Sequence, residues 1–213
     1  MAQDLSAVLR SPLDCSTASR LLVELHRPIG HPQLHCEAIR KAPTTVRETM
    51  LVQHYLPYRN RIGQMINDAI VKHGKRVIHI SSHSFTPKLN GKTRKTDIGL
   101  LYDPARVQEK TFCKKWQAAL KKLAPQLTIH RNAPYTGYND GQTTTLRHHF
   151  PEDAYLGIEL EINQKHVIQT AQHWRSVREA VISALQLALQ EMQLRYHPWQ
   201  SVAQSTPYPE HLS

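Results

Sequence analysis

The sequence contains 213 residues, of which 40% are hydrophobic, and its formal net charge is +10. That length suits one domain, and the apolar share is high enough to build a core. No apolar run approaches the ~20 residues that cross a bilayer, and the N-terminus lacks the pattern of a signal peptide. We therefore expect a protein with no membrane partner.

Cysteine usage and charge narrow the class of protein further. There are three cysteines, an odd number without CxxC spacing, which is typical of a cytoplasmic protein with reduced thiols rather than a disulfide framework or a zinc ribbon. The positive charge favours anionic partners, but the basic residues are spread out and form no block of five. We expect a small anionic substrate and no nucleic acid.

Strands and helices alternate along most of the chain. Apolar spacing predicts helices over 1–10, 43–72, 108–122, 143–150 and 174–194, the second of them kinked or broken at Pro57. Apolar and β-branched runs predict strands over 20–25, 76–81, 98–102, 127–130 and 155–163. This order predicts one α/β domain over 1–196, with a largely parallel or mixed sheet flanked by helices, and a disordered tail over 197–213.

Four polar clusters fall at or near predicted strand ends, where ligands gather in open α/β sheets. They are Glu24–Arg27, Ser81–Ser84, Arg131–Asn132 and Glu159–Asn163. Together they indicate a site, although none is specific alone.

His83 follows a β-rich run among serines, so its imidazole is either a metal ligand or a side chain that bonds loop backbone. Strand alternation places His79 on the same face, where a sheet-face role is the better interpretation. Glu159 and Glu161 share one strand face, and burying both requires a partner such as a metal or an arginine. The alternative is a half-exposed strand with both carboxylates in water.

The arginines suit a carboxylate ligand because a guanidinium offers a bidentate fork. Arg27 and the adjacent pair Arg131 and Asn132 are candidates, with solvated or core-capping roles as the alternative. Arg94 and Asp97 flank a polar loop, where they either form a surface ion pair or orient a catalytic loop.

Four segments carry a family resemblance in a fixed order: SSHSFTP, RKTDIGLLYDPAR, RNAPYTGYNDGQTTTLRHHFP and YLGIELEINQ. From about Arg20 to His166 the chain resembles the N-formylglutamate amidohydrolases. The resemblance implies a fold similar to zinc-dependent exopeptidases such as the carboxypeptidases. It also implies hydrolysis of N-formylglutamate to formate and glutamate, in histidine degradation.

The resemblance also implies residue roles. His83 would be a ligand of a divalent ion, expected to be zinc, and Glu161 the acid/base residue acting on metal-bound water. Arg27, Arg131 and Asn132 would hold substrate carboxylates or polarise the carbonyl. Arg94 and Asp97 would shape the wall of the substrate site.

The chain departs from the family pattern at two places. Members usually begin with a further ~50 residues that include the first strand and helix and a Cys-Glu-His metal motif. The chain is therefore expected to be N-terminally truncated, with an incomplete ligand set. A strand that usually ends in Asp-x-Asn-Arg reads Glu24-Leu25-His26-Arg27 here, and His26 is a candidate replacement ligand.

Two other functions stay open beside the hydrolase. A truncated, inactive family member would keep the fold without the activity. A basic nucleic-acid-binding domain is supported by charge alone and would show affinity that falls steeply with salt.

Overall fold

The computed structural model describes residues 1–192. The expected tail at 197–213 and the last residues of the expected domain lie outside the described residues. Within them the chain forms a single α/β domain in which helices flank a mixed sheet. The fold class expected from the sequence is therefore confirmed.

Four strands make the central sheet: β1 (Val77–Phe85), β4 (Ile98–Leu101), β5 (Ile129–Arg131) and β6 (Tyr155–Asn163). Their spatial order is β1-β6-β4-β5, with β1 parallel to β6, β4 antiparallel to β6, and β5 parallel to β4. A separate hairpin joins β2 (Lys88–Leu89) to β3 (Lys92–Thr93). Its tip holds Asn90 and Gly91 at φ 48° and 75°, the left-handed backbone that a tight hairpin turn requires.

Seven α-helices accompany the sheet within the described residues. They are α1 (Ala2–Leu9), α2 (Glu37–Arg40), α3 (Thr44–Met50), α4 (Leu56–His73), α5 (Val107–Leu123), α6 (Gln142–His149) and α7 (Ala171–Glu191). A π-helical segment, Leu51–Tyr55, joins α3 to α4, and a 3-10 turn, Gln164–His166, follows β6. None of the helices within residues 1–192 is long and apolar enough to span a membrane.

The main core lies between the sheet and two long helices. Helix α5 turns Phe112, Trp116 and Leu120 inward at helical spacing, and α7 contributes Val181 and Leu185. Against them pack the apolar residues of one sheet face: Ile98, Leu100, Leu156, Ile158, Leu160 and Ile162. Strand β6 is therefore held rigidly from this side.

The other sheet face is covered by α4 and α6, which pack Ile62, Ile66 and Leu146 around Tyr155. All nine residues of β6 are buried, so helices and loops cover both of its faces. This result contradicts the alternative of a half-exposed strand with its glutamates in water.

One predicted strand is absent from the structure, and another is longer than predicted. Residues 20–25 form turns instead of a strand, since Ser19 O accepts bonds from the amides of Leu22 and Val23 and the backbone is satisfied locally. Strand β1 continues to Phe85, beyond residue 81, where the predicted strand ended. The reason is a regular parallel ladder along the whole of β6, from Val77↔Tyr155 to Phe85↔Asn163.

Pro57 does not break the long helical segment at its own position. The chain stays helical from Thr44 to His73, but it widens into the π-helical segment just before α4. Pro57 then stands in the first turn of α4, where a missing N–H is tolerated. The predicted kink is thus replaced by a change of helix type.

The core assignment predicts opposite outcomes for two leucines on α7. Leu185 is 1% exposed and Leu187 is 40% exposed. We expect Leu185→Ala to lower the unfolding free energy by about 2–5 kcal/mol, because it leaves a cavity under the sheet. Leu187→Ala should change it by less than about 0.5 kcal/mol. Urea denaturation measures both, and equal losses would contradict the packing described.

Candidate active site

The register between β1 and β6 brings the polar residues of two strands side by side. Ser81 pairs with Glu159, and His83 pairs with Glu161. Paired residues of a parallel ladder point to the same face, so the imidazole and both carboxylates lie on the face opposite the main core. His83 and Glu161, both singled out from the sequence, are thus neighbours.

A glycine on the next strand leaves room above this face. Gly99 of β4 pairs with Glu161, and a side chain at Gly99 would collide with the carbonyl oxygen of Ala133. The loop that carries Ala133 therefore crosses the sheet directly beside Glu161. This close approach explains why the chain needs glycine at position 99.

A second histidine reaches the site from the N-terminal loop. The ring of His26 lies edge-on to that of His83, with centroids 4.7 Å apart. Its Nε2 is 3.4 Å from Oε1 of Glu159. Gly141 allows this approach, since a Cβ there would lie 2.6 Å from His26 Nε2.

The two glutamates are both buried, with 5% of Glu159 and 7% of Glu161 exposed, yet their surroundings differ. Thr143 Oγ1 donates a 2.5 Å bond to Glu159 Oε1. Burial opposes ionisation of Glu159, but the hydrogen bond and charge of His26, together with Thr143, outweigh it and lower its pKa to about 2. Glu159 is therefore ionised at neutral pH.

Glu161 has the opposite environment. Its Oε2 is buried and has no hydrogen-bond partner among the described residues. Burial, and then the negative charge of Glu159, raise its pKa to about 7. Glu161 can therefore release or take up a proton near neutral pH, which is what a general acid/base requires.

The histidines of β1 are held neutral. Burial lowers the pKa of His83 to about 4, with a further contribution from His26. His83 Nε2 lies 2.8 Å from Ser81 Oγ. Burial likewise lowers the pKa of His79 to about 4, and its Nδ1 lies 2.9 Å from the hydroxyl of Tyr155.

Arg27 lies near this cluster but is already engaged. Its guanidinium forms an ion pair with Asp140, whose carboxylate also lies 2.8 Å from His31 Nε2. The backbone carbonyl of Arg27 accepts a 2.7 Å bond from Tyr55. The loop around Arg27 is thus fixed to the loop that ends at Gly141, and Arg27 can turn to a substrate only by leaving Asp140.

Arg131 and Asn132 are not brought to the glutamate pair. Arg131 pairs with Leu100, which belongs to the main core, so its side chain points to the opposite face of the sheet. The side-chain oxygen of Asn132 accepts bonds from the amides of Tyr102, at 2.9 Å, and Gly137, at 3.3 Å. These placements support structural roles and not contact with substrate.

Asp97 is occupied as well. It accepts bonds from the amide of Thr128, at 2.8 Å, and from Lys165 Nζ, at 2.5 Å, and it lies 2.9 Å from His166 Nε2. The bonds to Lys165 and Thr128, among others, overcome the effect of burial and lower its pKa. The carboxylate therefore ties the start of β4 to the turn after β6.

Arg94 contacts the site from the segment after the hairpin. Its guanidinium carbon lies 5.4 Å from the ring centre of Phe85 and 4.9 Å from that of Tyr135. Its Nη1 donates a 2.7 Å bond to the Tyr135 hydroxyl. The positive charge of Arg94 is one of those that oppose the rise in the pKa of Glu161.

Three residues of the site were missed in the sequence. Thr143, Asp140 and Tyr135 all lie in the segment RNAPYTGYNDGQTTTLRHHFP, which carries part of the family resemblance, but none of them was given a role. A signal was present, since an Asp-Gly pair followed by threonines marks a tight turn into a helix. What the pattern could not indicate is which distant strand this turn meets.

The side chains of the site are of the types that bind zinc, but in the part of the chain that the structure describes too few of them lie close together. Neutral imidazoles and carboxylates are usual zinc ligands, and a catalytic site uses three of them. Among residues 1–192, however, no three His, Cys, Asp or Glu side chains are grouped closely enough to hold a metal ion. Zinc therefore stays a prediction, and no chemical step below is assigned to it.

A groove of about 890 Å³ follows the outer edge of β1, which pairs only with β6 within the described sheet. Residues of α1, α4 and α7 line it, and so do Ser81 and His83. The groove is therefore continuous with the candidate site. An open strand edge of this kind is a place where further backbone can pair.

The raised pKa of Glu161 predicts a specific dependence of stability on pH. Between its ordinary value of 4.5 and about 7, the folded protein keeps a proton that the unfolded chain has lost, so this group lowers stability as pH rises through that range. Glu161→Gln removes the effect. We expect its unfolding free energy, minus that of the unmodified protein, to rise by about 3 kcal/mol between pH 4.5 and pH 8.

Denaturant titrations across this pH range measure the difference. The contributions of His79 and His83 are common to both proteins and cancel. Glu48→Gln, on the exposed side of α3, serves as the control and should give a difference independent of pH. If the difference in unfolding free energy for Glu161→Gln does not change with pH, the environment described for the Glu161 carboxyl is wrong.

Comparisons with known proteins show the fold and the family of the chain. The gene product Atu2144 from Agrobacterium tumefaciens, known from a crystal structure, is 24% identical and superposes with a TM-score of 0.68, over 82% of this chain and 69% of that one. This likeness shows that the two share a fold. A search of curated proteins finds no match.

The family model of N-formylglutamate amidohydrolase matches residues 15–168, a range that contains both histidines and both glutamates of the site. The chain belongs to the N-formylglutamate amidohydrolase family.

Proposed function

We propose that this protein hydrolyses the amide bond of a small N-acylated acidic amino acid, with N-formylglutamate as the expected substrate. The observation that carries the proposal is a pair of buried glutamates beside two histidines, with pKa values shifted in opposite directions by their different surroundings. Membership of the amidohydrolase family supports the reaction class. The formyl group would leave as formate and the amine as glutamate.

Glu161 is the residue assigned to proton transfer. With a pKa of about 7, its carboxylate takes a proton from water as the water oxygen attacks the formyl carbon. The C–N bond then breaks, and Glu161 returns the proton to the leaving nitrogen. Water thus adds OH to the acyl carbon and H to the amine, and Glu161 is regenerated.

Glu159 acts through its charge and its bonds. As an ionised neighbour it helps keep the pKa of Glu161 near neutrality. Through Oε1 it also accepts from Thr143 and lies near Nε2 of His26, which orients that ring. His26 and His83 are then the nearest polar rings that can donate an N–H to the carbonyl oxygen as negative charge develops on it.

The net charge of +10 suits a substrate with two carboxylates, because it raises the rate at which a dianion reaches the site. Nucleic acid would be attracted by the same charge. Apart from this charge, no observation at the site favours that alternative.

Formate release from N-formylglutamate tests the proposal. Glu161→Gln should lower kcat by about 10²–10⁴-fold with little change in KM, because the amide keeps the shape but cannot exchange the proton. The Glu48→Gln control should leave both constants unchanged.

The assay is run with a chelator and again with added zinc, so that metal dependence is read separately from the role of Glu161. Absence of formate release under both conditions would reject the substrate. Release that is equally fast in Glu161→Gln would reject Glu161 as the proton carrier.

A further inference from the structure

We propose that Arg94 is the carboxylate-binding residue of this site, and that it holds the side-chain carboxylate of the N-acyl amino acid through a guanidinium positioned by Phe85 and Tyr135. The inference rests on the proposed function and deepens it, because it selects one of the three arginines that the sequence offered as candidates, Arg27, Arg94 and Arg131.

The first argument is that the guanidinium is fixed before any ligand arrives. The rings of Phe85 and Tyr135 are nearly perpendicular, at 87°, and Arg94 lies over both of them. The hydroxyl of Tyr135 takes one of its N–H groups. Stacking and this bond restrict the side chain, so little conformational entropy is lost when an anion binds.

The second argument is that the charge of Arg94 is not neutralised by an acidic side chain. Within residues 1–192 its side-chain contacts are with Phe85 and Tyr135, and none is an ion pair. Arg27, by contrast, is paired with Asp140, and Arg131 points to the other face of the sheet. With one N–H engaged, four remain, enough for a bidentate bond to a carboxylate.

The third argument is position. Phe85 lies two residues beyond His83 on the same face of β1, and it pairs with Asn163, two residues beyond Glu161. Two residues advance a strand by about 7 Å. An acidic amino acid spans a comparable length between its N-acyl carbon and its distal carboxylate. The acyl group can therefore lie at Glu161 while the distal carboxylate meets Arg94.

Calorimetric binding in the Glu161→Gln background tests the inference without turnover. The ligands are N-formylglutamate, N-formylglutamine, whose side-chain carboxylate is an amide, and the α-amide of N-formylglutamate. Arg94→Ala should weaken N-formylglutamate and the α-amide by about 10- to 100-fold and leave N-formylglutamine nearly unchanged. Lys92→Ala, on the neighbouring strand β3, removes the same net charge and should leave the affinity for all three ligands unchanged.

Two conservative variants separate geometry from charge. Arg94→Lys keeps the charge but loses the forked guanidinium. It should therefore bind N-formylglutamate and the α-amide several-fold more weakly than the protein with arginine at position 94. Tyr135→Phe keeps the ring and loses the hydrogen bond, so it should show a smaller loss for the same two ligands.

The inference is overturned by any of three results: Arg94→Ala binds all three ligands as the Lys92→Ala control does, Arg94→Ala weakens the binding of all three equally, or Glu161→Gln with Arg94 intact binds none of them. The proposed function is judged separately by formate release. If the protein releases formate but binding does not depend on Arg94, the proposed function stands and the inference about Arg94 is rejected. If binding depends on Arg94 but no formate is released, the inference stands and the proposed function is rejected.

Discussion

The parallel pairing of β1 with β6 is the interaction on which the rest of the site depends. Its register sets His83 beside Glu161 and Ser81 beside Glu159. A shift of one residue would turn these side chains toward the apolar core under α5 and α7. Because that core packs against alternate residues of β6, the hydrophobic effect fixes the register and, with it, the position of the polar groups.

The same arrangement explains why two carboxylates can stay in a strand that is buried throughout. Glu159 keeps its charge because Thr143 and His26 contact it, whereas Glu161 avoids the cost of a buried charge by holding a proton up to about pH 7. The difference arises because His26, from the N-terminal loop, and Thr143, from α6, contact Glu159, whereas Oε2 of Glu161 has no hydrogen-bond partner among the described residues.

Much of the fold could be predicted from the sequence because its main elements have strong periodicity. Strand β6 and helices α5 and α7 lie close to the residues expected from their apolar spacing. Predictions failed where bonding partners decide the structure. Residues 20–25 are as apolar as a strand, but the amides of Leu22 and Val23 bond to the nearby carbonyl of Ser19. The extension of β1 to Phe85 depends on its pairing with β6, which lies about 80 residues away in the sequence.

The site could be predicted only in part for a similar reason. His83 and Glu161 were identified because they lie in polar clusters at or near the ends of apolar strands, within motifs that carry the family resemblance. The direction of Arg131 depends on β4 and β5, which run opposite to β6, and no local pattern reports that reversal. The ion pair that engages Arg27 joins residues 113 positions apart, which single-sequence reasoning does not reach.

The protonation difference between the two buried glutamates is the central claim, and carboxyl ¹³C NMR on protein labelled at glutamate measures it directly. Assigned by comparison with Glu159→Gln and Glu161→Gln, the Glu161 resonance should titrate near pH 7 and that of Glu159 near pH 2. Two resonances that both titrate between about pH 4 and 5, as solvent-exposed glutamates do, would contradict the account.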